Sequence, residues 1–491
     1  MGIRELFGAL LALLCLGLGL LLVEQPRTGL SIMPMQVGTT PATVMQVPGV
    51  EAPVVVIAHG FAGSRQLMHP VQLTLARAGY ITISYDLEGH GRNPQPMRGD
   101  VDDIEGTTRF LVDELARVAQ AGLALPGADG RLAVVGHSMA SDIVVRYAVE
   151  AEADAAVAIS MFSAAVSAEA PRNLLILNGQ FEGRLRAEAQ RIMAEQGVAE
   201  GERVGDPASG FARRAVSVDL AEHVGVLYAR QTLRETRSWL NDSFEYGAEN
   251  GVAWIGPPLL LTLIGLVLIA QPISQGLRAR RRRVNSVPPG AFWVLALLPA
   301  VLTPLVLRLV PTDFLSVLVA DYLALHLLVY GVLVLGGLAV EGDAPAFHGW
   351  RAGLAVAAFG ILVVGAVLDR YVANFILAEG RWLVFAALLP GSILAMTADA
   401  TLSQAGQAHA LRRVAARLGF ILSLAIAVAL DPGRLFFLVL VMPVLVLFYF
   451  SFGLIGGWVG RRTGSAVAMG LGLGVILAWA LAATFPLFDG G

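Results

Sequence analysis

Cysteine is nearly absent from this chain. Cys15 is the only one, so no intrachain disulfide can form. No Cys/His cluster has metal-ligand spacing, and neither a P-loop nor a dinucleotide fingerprint occurs, so no metal and no cofactor is expected. Charge is scarce too. Asp, Glu, Lys and Arg make up 15% of the residues, against about 25% in soluble domains, which excludes a wholly soluble chain. The net charge of −3 points to no particular partner, and there is no repeat of useful period. What the chain has instead is apolar residues, 56% of the total, with a mean hydropathy of +0.66.

Those apolar residues are unevenly spread over the 491 positions. One run covers Leu6 to Val23. Eight more follow residue 252, near 253–270, 291–310, 314–339, 352–369, 382–398, 416–431, 434–458 and 465–486. Each is long enough, or nearly so, to cross about 30 Å of hydrocarbon as a helix, and Gly and Pro are tolerated inside such helices. Nine spans divide the chain into a transmembrane anchor over 1–23, a polar domain over 24–250 and a membrane domain of about eight helices over 251–491. Arginine gives the orientation. The run Arg278 to Arg283, then Arg412, Arg413 and Arg417, then Arg461 and Arg462 all fall on one side. By the positive-inside rule that side is cytoplasmic and the 24–250 domain is exported. The basic run over 278–283 is therefore read as a topology signal, with no nucleic acid as partner. The long run before Val23 and the lack of an Ala-x-Ala site after it favour a retained anchor over a cleaved signal. Among the few ionisable residues in the membrane half, Arg308 is expected to pair with Asp321 at the outer interface. His326 is expected to bond a neighbouring helix, with a polar cavity or proton path as the alternative reading, while Asp369 and Arg370 complete the set.

The polar domain carries the chemistry. Arg131 to Val135 reads as a buried strand that runs into Gly136-His137-Ser138-Met139-Ala140 and then a helix. A serine on a strand-to-helix turn has its Oγ pushed out at the end of a sheet, where the helix N-terminus favours developing negative charge. Upstream, the strand Val54 to Ala58 ends in His59-Gly60-Phe61-Ala62-Gly63. A glycine-rich turn there can aim the N–H of Phe61 at a forming oxyanion, with the N–H of Met139 as second donor. Downstream, the apolar strand Asn173 to Leu177 closes in a turn bearing Glu182, and a later strand delivers His223.

This order resembles the α/β-hydrolase superfamily, whose chain order is nucleophile, acid, histidine. The resemblance covers roughly residues 30–246. Tyr85-Asp86-Leu87-Glu88-Gly89-His90-Gly91 is similar to the Asp-x-x-Gly-x-Gly loop of these enzymes, with Asp86 and His90 in loop-structuring roles. The resemblance implies that Ser138 attacks a carbonyl carbon, His223 moves the proton, and an acid orients the imidazole. Glu182 stands where the family places that acid, and Asp206 and Asp219 are its rivals. Only about ten residues separate the strand Ala155 to Ile159 from Asn173, which leaves no room for the helical cap of many relatives. The expected fold is a doubly wound α/β sheet without a cap insertion, followed by an all-α polytopic membrane domain. The bilayer or the bundle is expected to stand in for the cap. The expected activity is that of a serine hydrolase acting on an ester, thioester or lipid acyl bond, outside the cytoplasm of a bacterial inner membrane. Acyl transfer through the same acyl-enzyme, or a transporter or signalling protein with a non-catalytic hydrolase-like domain, are the alternatives.

Overall fold

The computed structural model describes all residues except 1–2, 100–103, 281–286, 313, 316 and 490–491. An apolar helix, α1 (Ile3–Glu24), leads into the hairpin β1 (Ser31–Val37) and β2 (Thr40–Gln46). The alternating part follows: β3 (Ala52–Ala58), α2 (His69–Ala78), β4 (Ile81–Tyr85), α3 (Arg109–Leu123), β5 (Ala128–His137), α4 (Met139–Glu150) and β6 (Ala155–Ile159). It continues with β7 (Asn173–Gly179), α5 (Gly183–Glu195), β8 (Arg203–Asp206), β9 (Phe211–Val218) and α6 (Arg230–Phe244). The nine strands form one sheet in the order β1-β2-β4-β3-β5-β6-β7-β9-β8, parallel from β4 to β9, with antiparallel strands at both edges.

Local sequence explains this layering. Every residue of β3 and β6 is buried, as a parallel strand covered on both faces requires. One face is covered by the apolar stripes of α3 and α4, including Leu111, Leu115, Val118, Ile143 and Val144. The other is covered by α2 and α6, through Val71, Leu75, Leu233 and Leu240. In register, Gly136 of β5 lies opposite Ala58 of β3 and Ala158 of β6. These strands therefore end at one level, and the loops after them share one edge. No helix lies between β6 and β7, so the sheet carries no cap there.

The membrane half comprises α7 (Gly256–Gln275), α8 (Pro289–Leu307), α9 (Ala320–Val340), α10 (Trp350–Ala358), α11 (Gly365–Tyr371) and α12 (Arg381–Leu402). Then come α13 (Ala410–Leu430), the short α14 (Pro432–Leu435), α15 (Leu438–Thr463) and α16 (Ala466–Thr484). With α10 and α11 joined through a π-type stretch, nine helices among the described residues are long and apolar enough to cross a membrane. Small residues let them approach closely. A Cβ on Gly19 of α1 would meet Thr262 Oγ1 of α7 at 2.4 Å, and one on Gly470 of α16 would meet Thr397 Oγ1 of α12 at 2.3 Å. The α16 span is the most buried of the nine, at 72%, and so forms the centre of the bundle. Far from the sheet, Arg462 ties α15 to α7 by donating to the carbonyls of Gln275 (2.8 Å) and Leu277 (3.0 Å). The later residues of the basic run, Arg281, Arg282 and Arg283, lie outside the described residues.

Three sequence expectations change in detail. The fourth span begins at Ala320, not near 314, because Val319 takes a left-handed backbone (φ 55°) that interrupts the helix. The Arg308–Asp321 pair is not formed: Arg308 is exposed, and Asp321 accepts the N–H groups of Phe314 (3.2 Å) and Tyr322 (2.7 Å) instead. Asp219 falls just past β9 and not within the last strand. His326 does bond a neighbouring helix, with Nε2 2.9 Å from Ser423 Oγ of α13.

The halves are bolted together at the loop after β4. Arg92 pairs with Asp369, its Nε donates to Asn374 Oδ1 (3.2 Å), and the N–H of Asn374 donates to Ser64 Oγ (2.9 Å). The fully buried Arg381 donates to the carbonyls of Gly89 (2.9 Å) and Gly91 (3.1 Å) on one side. On the other it donates to those of Ala482 (3.1 Å) and Phe485 (2.5 Å), at the C-terminal end of α16 where the helix dipole favours a cation. The chain end adds a parallel bridge between Met97 and Phe488.

Candidate active site

The site is built where β3, β5, β7 and β9 end. Ser138 sits between β5 and α4 with φ 55° and ψ −121°, a backbone conformation rare for a side-chain-bearing residue. Small neighbours make this turn possible. A Cβ on Gly136 would meet the Ala140 carbonyl oxygen at 2.2 Å, so strand and helix touch there, and Ala140 still fits at the fifth position. The turn after β3 comes equally close: a Cβ on Gly60 would meet Ser138 Cβ at 2.9 Å. Phe61 therefore follows a residue already in contact with the serine, and Met139 is the first residue of α4, whose N–H has no partner within the helix. Neither N–H is engaged elsewhere among the described residues.

Three side chains from separate loops line up. Ser138 Oγ is 2.8 Å from His223 Nε2, and His223 Nδ1 is 2.5 Å from Glu182 Oε1. The other carboxylate oxygen of Glu182 accepts from the Gly179 N–H (2.6 Å) and Ser160 Oγ (2.9 Å). Burial pushes the Glu182 carboxyl up, but the hydrogen bonds from His223, Gly179 and Ser160 and the His223 charge outweigh it and hold its pKa below the ordinary range. An ionised Glu182 places the proton of a neutral His223 on Nδ1, which leaves Nε2 to accept from the serine. The rival acids lie elsewhere. Asp206 is exposed and accepts from the Ala208 N–H (3.2 Å), and Asp219 is an exposed residue with no bond from its side chain to His223.

Two supports were not singled out in the sequence. Ser160, at φ 53° directly after β6, braces Glu182. His137, the residue before Ser138, places Nε2 2.8 Å from the His223 carbonyl. Burial lowers the His137 pKa to about 4, so it is neutral and donates from Nε2. Asp86 and His90 are buried in the loop after β4. Asp86 accepts the Arg65 (2.8 Å) and Arg92 (3.0 Å) N–H groups, and His90 Nδ1 lies 2.8 Å from the Glu88 carbonyl.

Above the turn after β3 lies the membrane half. The Phe61 ring packs on Phe437, just before α15, with centroids 4.8 Å apart, and edge-on against His90 at 5.7 Å. No group of three or more His, Cys, Asp or Glu suited to a metal is found among the described residues.

Comparison with known proteins places this geometry in a family context. The family model for serine aminopeptidase, S33, matches residues 50–201, a stretch that contains Phe61, Ser138, Met139 and Glu182 and stops short of His223. No curated protein matches the chain. Among solved structures, similarity extends to one assigned as a lipase from Acinetobacter baumannii AYE, with 23% identity, 29% of this chain and 46% of that chain covered, and a TM-score of 0.23. The chain thus spans less than half the length of that protein. It extends also to a CIB-like hydrolase from Thermoplasma acidophilum (16% identity, 43% and 97% covered, TM-score 0.34). A bacterial membrane phospholipase A gives 14% identity, 48% and 93% covered, and a TM-score of 0.33. Residues 50–201 thus match the serine aminopeptidase S33 family, within an α/β-hydrolase-like mixed sheet that is followed by a helical region whose long apolar helices fit a membrane domain.

Proposed function

We propose that this protein is a membrane-anchored serine hydrolase that cleaves an ester, thioester or lipid acyl bond by way of an acyl-enzyme. The observation that carries the reading is the continuous line Ser138 Oγ–His223 Nε2 (2.8 Å) and His223 Nδ1–Glu182 Oε1 (2.5 Å) at the end of a parallel sheet. Ser138 attacks the carbonyl carbon while its proton passes to His223 Nε2. The resulting oxyanion takes hydrogen bonds from the N–H groups of Phe61 and Met139. The bond to the leaving group then breaks as His223 returns the proton to it. Water, deprotonated by His223, attacks the acyl-serine, and the carboxylic acid leaves as His223 returns the proton to Ser138 Oγ. Glu182 stays ionised and stabilises the imidazolium at each step.

The family description names an aminopeptidase activity. An acyl substrate drawn from lipid is favoured here because the membrane half lies over the Phe61 turn. In this reading the helices take the place of a cap, residues 24–250 lie outside the cytoplasm, and α1 is a retained anchor. The deciding experiment is labelling of native membranes with a fluorophosphonate probe. The full-length chain should label, and Ser138→Ala should abolish labelling and lower turnover by about three orders of magnitude or more. Equal labelling of the two proteins would refute the nucleophile.

A further inference from the structure

Large apolar side chains are rarely left uncovered on the polar part of this protein. Between residues 30 and 250, seven are exposed among the described residues: Met33, Val50, Val149, Phe162, Phe181, Leu220 and Val224. Four of these, Phe162 (72%), Phe181 (66%), Leu220 (82%) and Val224 (46%), lie in the loops that follow β6, β7 and β9. Those loops share the C-terminal edge of the sheet with Ser138. Phe181 adjoins Glu182, and Val224 adjoins His223.

The same edge is fixed to membrane helices at both ends. At the β3 and β4 end, Phe61 meets Phe437 and Arg92 meets Asp369. At the β9 end, Tyr228 packs against a cluster made by Val23 of α1, Leu259 of α7 and Tyr371 of α11. There a Cβ on Gly256, the first residue of α7, would lie 3.3 Å from the Tyr228 Cβ. The helix ends thus hold this edge at both ends, while Phe162, Phe181 and Leu220 stay exposed among the described residues. A cluster of this kind, beside spans, has a lipid surface as its matching partner.

We propose that Phe162, Phe181, Leu220 and Val224 form an apolar wedge seated in the lipid surface beside the bundle, so that an acyl chain leaves the bilayer directly into the Ser138 site. The lipid contact itself needs no catalysis. Its use for substrate delivery rests on the hydrolase reading above.

The test uses the full chain in phosphatidylcholine nanodiscs with and without a doxyl-labelled acyl chain. In a Cys15→Ser background, Phe162→Cys, Phe181→Cys and Leu220→Cys are each labelled with nitrobenzoxadiazole. Val50→Cys, exposed at the opposite edge of the sheet, is the reference. Doxyl lipid should quench the three rim probes strongly and the Val50 probe hardly at all, in the presence or absence of Ser138→Ala. Rim probes quenched no more than the Val50 probe would overturn the proposal, as would a blue-shifted rim signal that doxyl lipid leaves untouched, which marks a protein partner. Leu220, the most exposed of the four, keeps the test valid if a phenylalanine variant fails to fold. For delivery, Phe162→Ser/Phe181→Ser/Leu220→Ser should lower kcat/KM for a vesicle-borne long-chain ester by about tenfold, or about 1.4 kcal/mol. A short water-soluble ester should be cleaved as before. An equal fall for both substrates would refute the delivery role, whereas quenching with no turnover of any ester would instead refute the hydrolase reading.

Discussion

His137 should make the hydrolase domain acid-labile by a calculable amount. Its ring is buried beneath the Ser138 turn, with Nε2 on the His223 carbonyl and Nδ1 without a partner among the described residues, so protonation would place a poorly solvated charge in the core. The folded value of about 4 lies below the ordinary 6.5. The unfolded chain therefore takes up a proton at this site as pH falls below 6.5, and the folded chain does not. Stability from keeping His137 neutral is complete above pH 6.5 and drains away down to about pH 4. At about 1.4 kcal/mol per pH unit, the drain is about 3 kcal/mol. His137→Gln removes the titration while leaving an amide that can donate to the His223 carbonyl. Melting temperatures of the full chain in detergent, measured from pH 7 to pH 4, should fall more steeply for the wild type than for His137→Gln. Buried His59, His69 and His90 are also lowered by desolvation, but they act in both proteins and cancel in the difference. A difference constant across pH would refute the reasoning. His137→Phe should in addition strip the His223 carbonyl of its donor, a loss of about 1–3 kcal/mol that appears as reduced kcat.

Glu182→Gln should reduce kcat by about 10⁴-fold, the scale seen when a triad acid becomes an amide, whereas Asp206→Asn and Asp219→Asn stay within a few-fold of wild type; the reverse ranking in ester-hydrolysis assays would reassign the acid. Arg381→Met removes a charged donor from four carbonyls, two on each half, and should destabilise the full chain by at least about 3 kcal/mol. An unchanged melting temperature would show that the halves are held by other contacts. Fusions of alkaline phosphatase and of green fluorescent protein after Asn241 and after Arg283 report sidedness: Asn241 should score as exported and Arg283 as cytoplasmic, and inversion at both points would place the Ser138 site in the cytoplasm.

The parallel strands, the Ser138 turn and the spans were legible because each is a local signal. Val54 to Ala58 and Ala155 to Ile159 are unbroken apolar runs, and a buried parallel strand has little other composition available to it. A membrane helix announces itself by length alone. The start of the fourth span was misplaced because Phe314, Leu315, Val317 and Leu318 are apolar without being helical, and hydropathy does not register the left-handed backbone of Val319. Ser160 and His137 escaped notice because their work is defined by partners 22 and 86 positions away. Arg381 was invisible for a different reason. A positive charge at the head of an apolar run reads as an interfacial flank, yet here it is fully buried against carbonyls from the loop after β4 and the end of α16.

That buried guanidinium also explains the backbone around it. Gly89 and Gly91 both have positive φ, 77° and 53°, which lets their carbonyls turn toward Arg381. Neither site has room for a Cβ: at Gly89 it would lie 2.5 Å from the Leu487 carbonyl oxygen, and at Gly91 2.3 Å from the Asp86 carboxyl carbon. The loop is thus pressed between the chain end and the carboxylate that holds Arg65 and Arg92. Between these glycines stands His90, whose ring packs edge-on against Phe61 and lies 5.2 Å from that of His59. The contacts that join the membrane helices to the sheet are therefore two residues or fewer from those that seat the Phe61 turn beside Ser138. A helix arrangement that released Arg381 would also loosen the Phe61 N–H, so the bundle and the site are expected to be sensitive to one another even though they are separate in sequence.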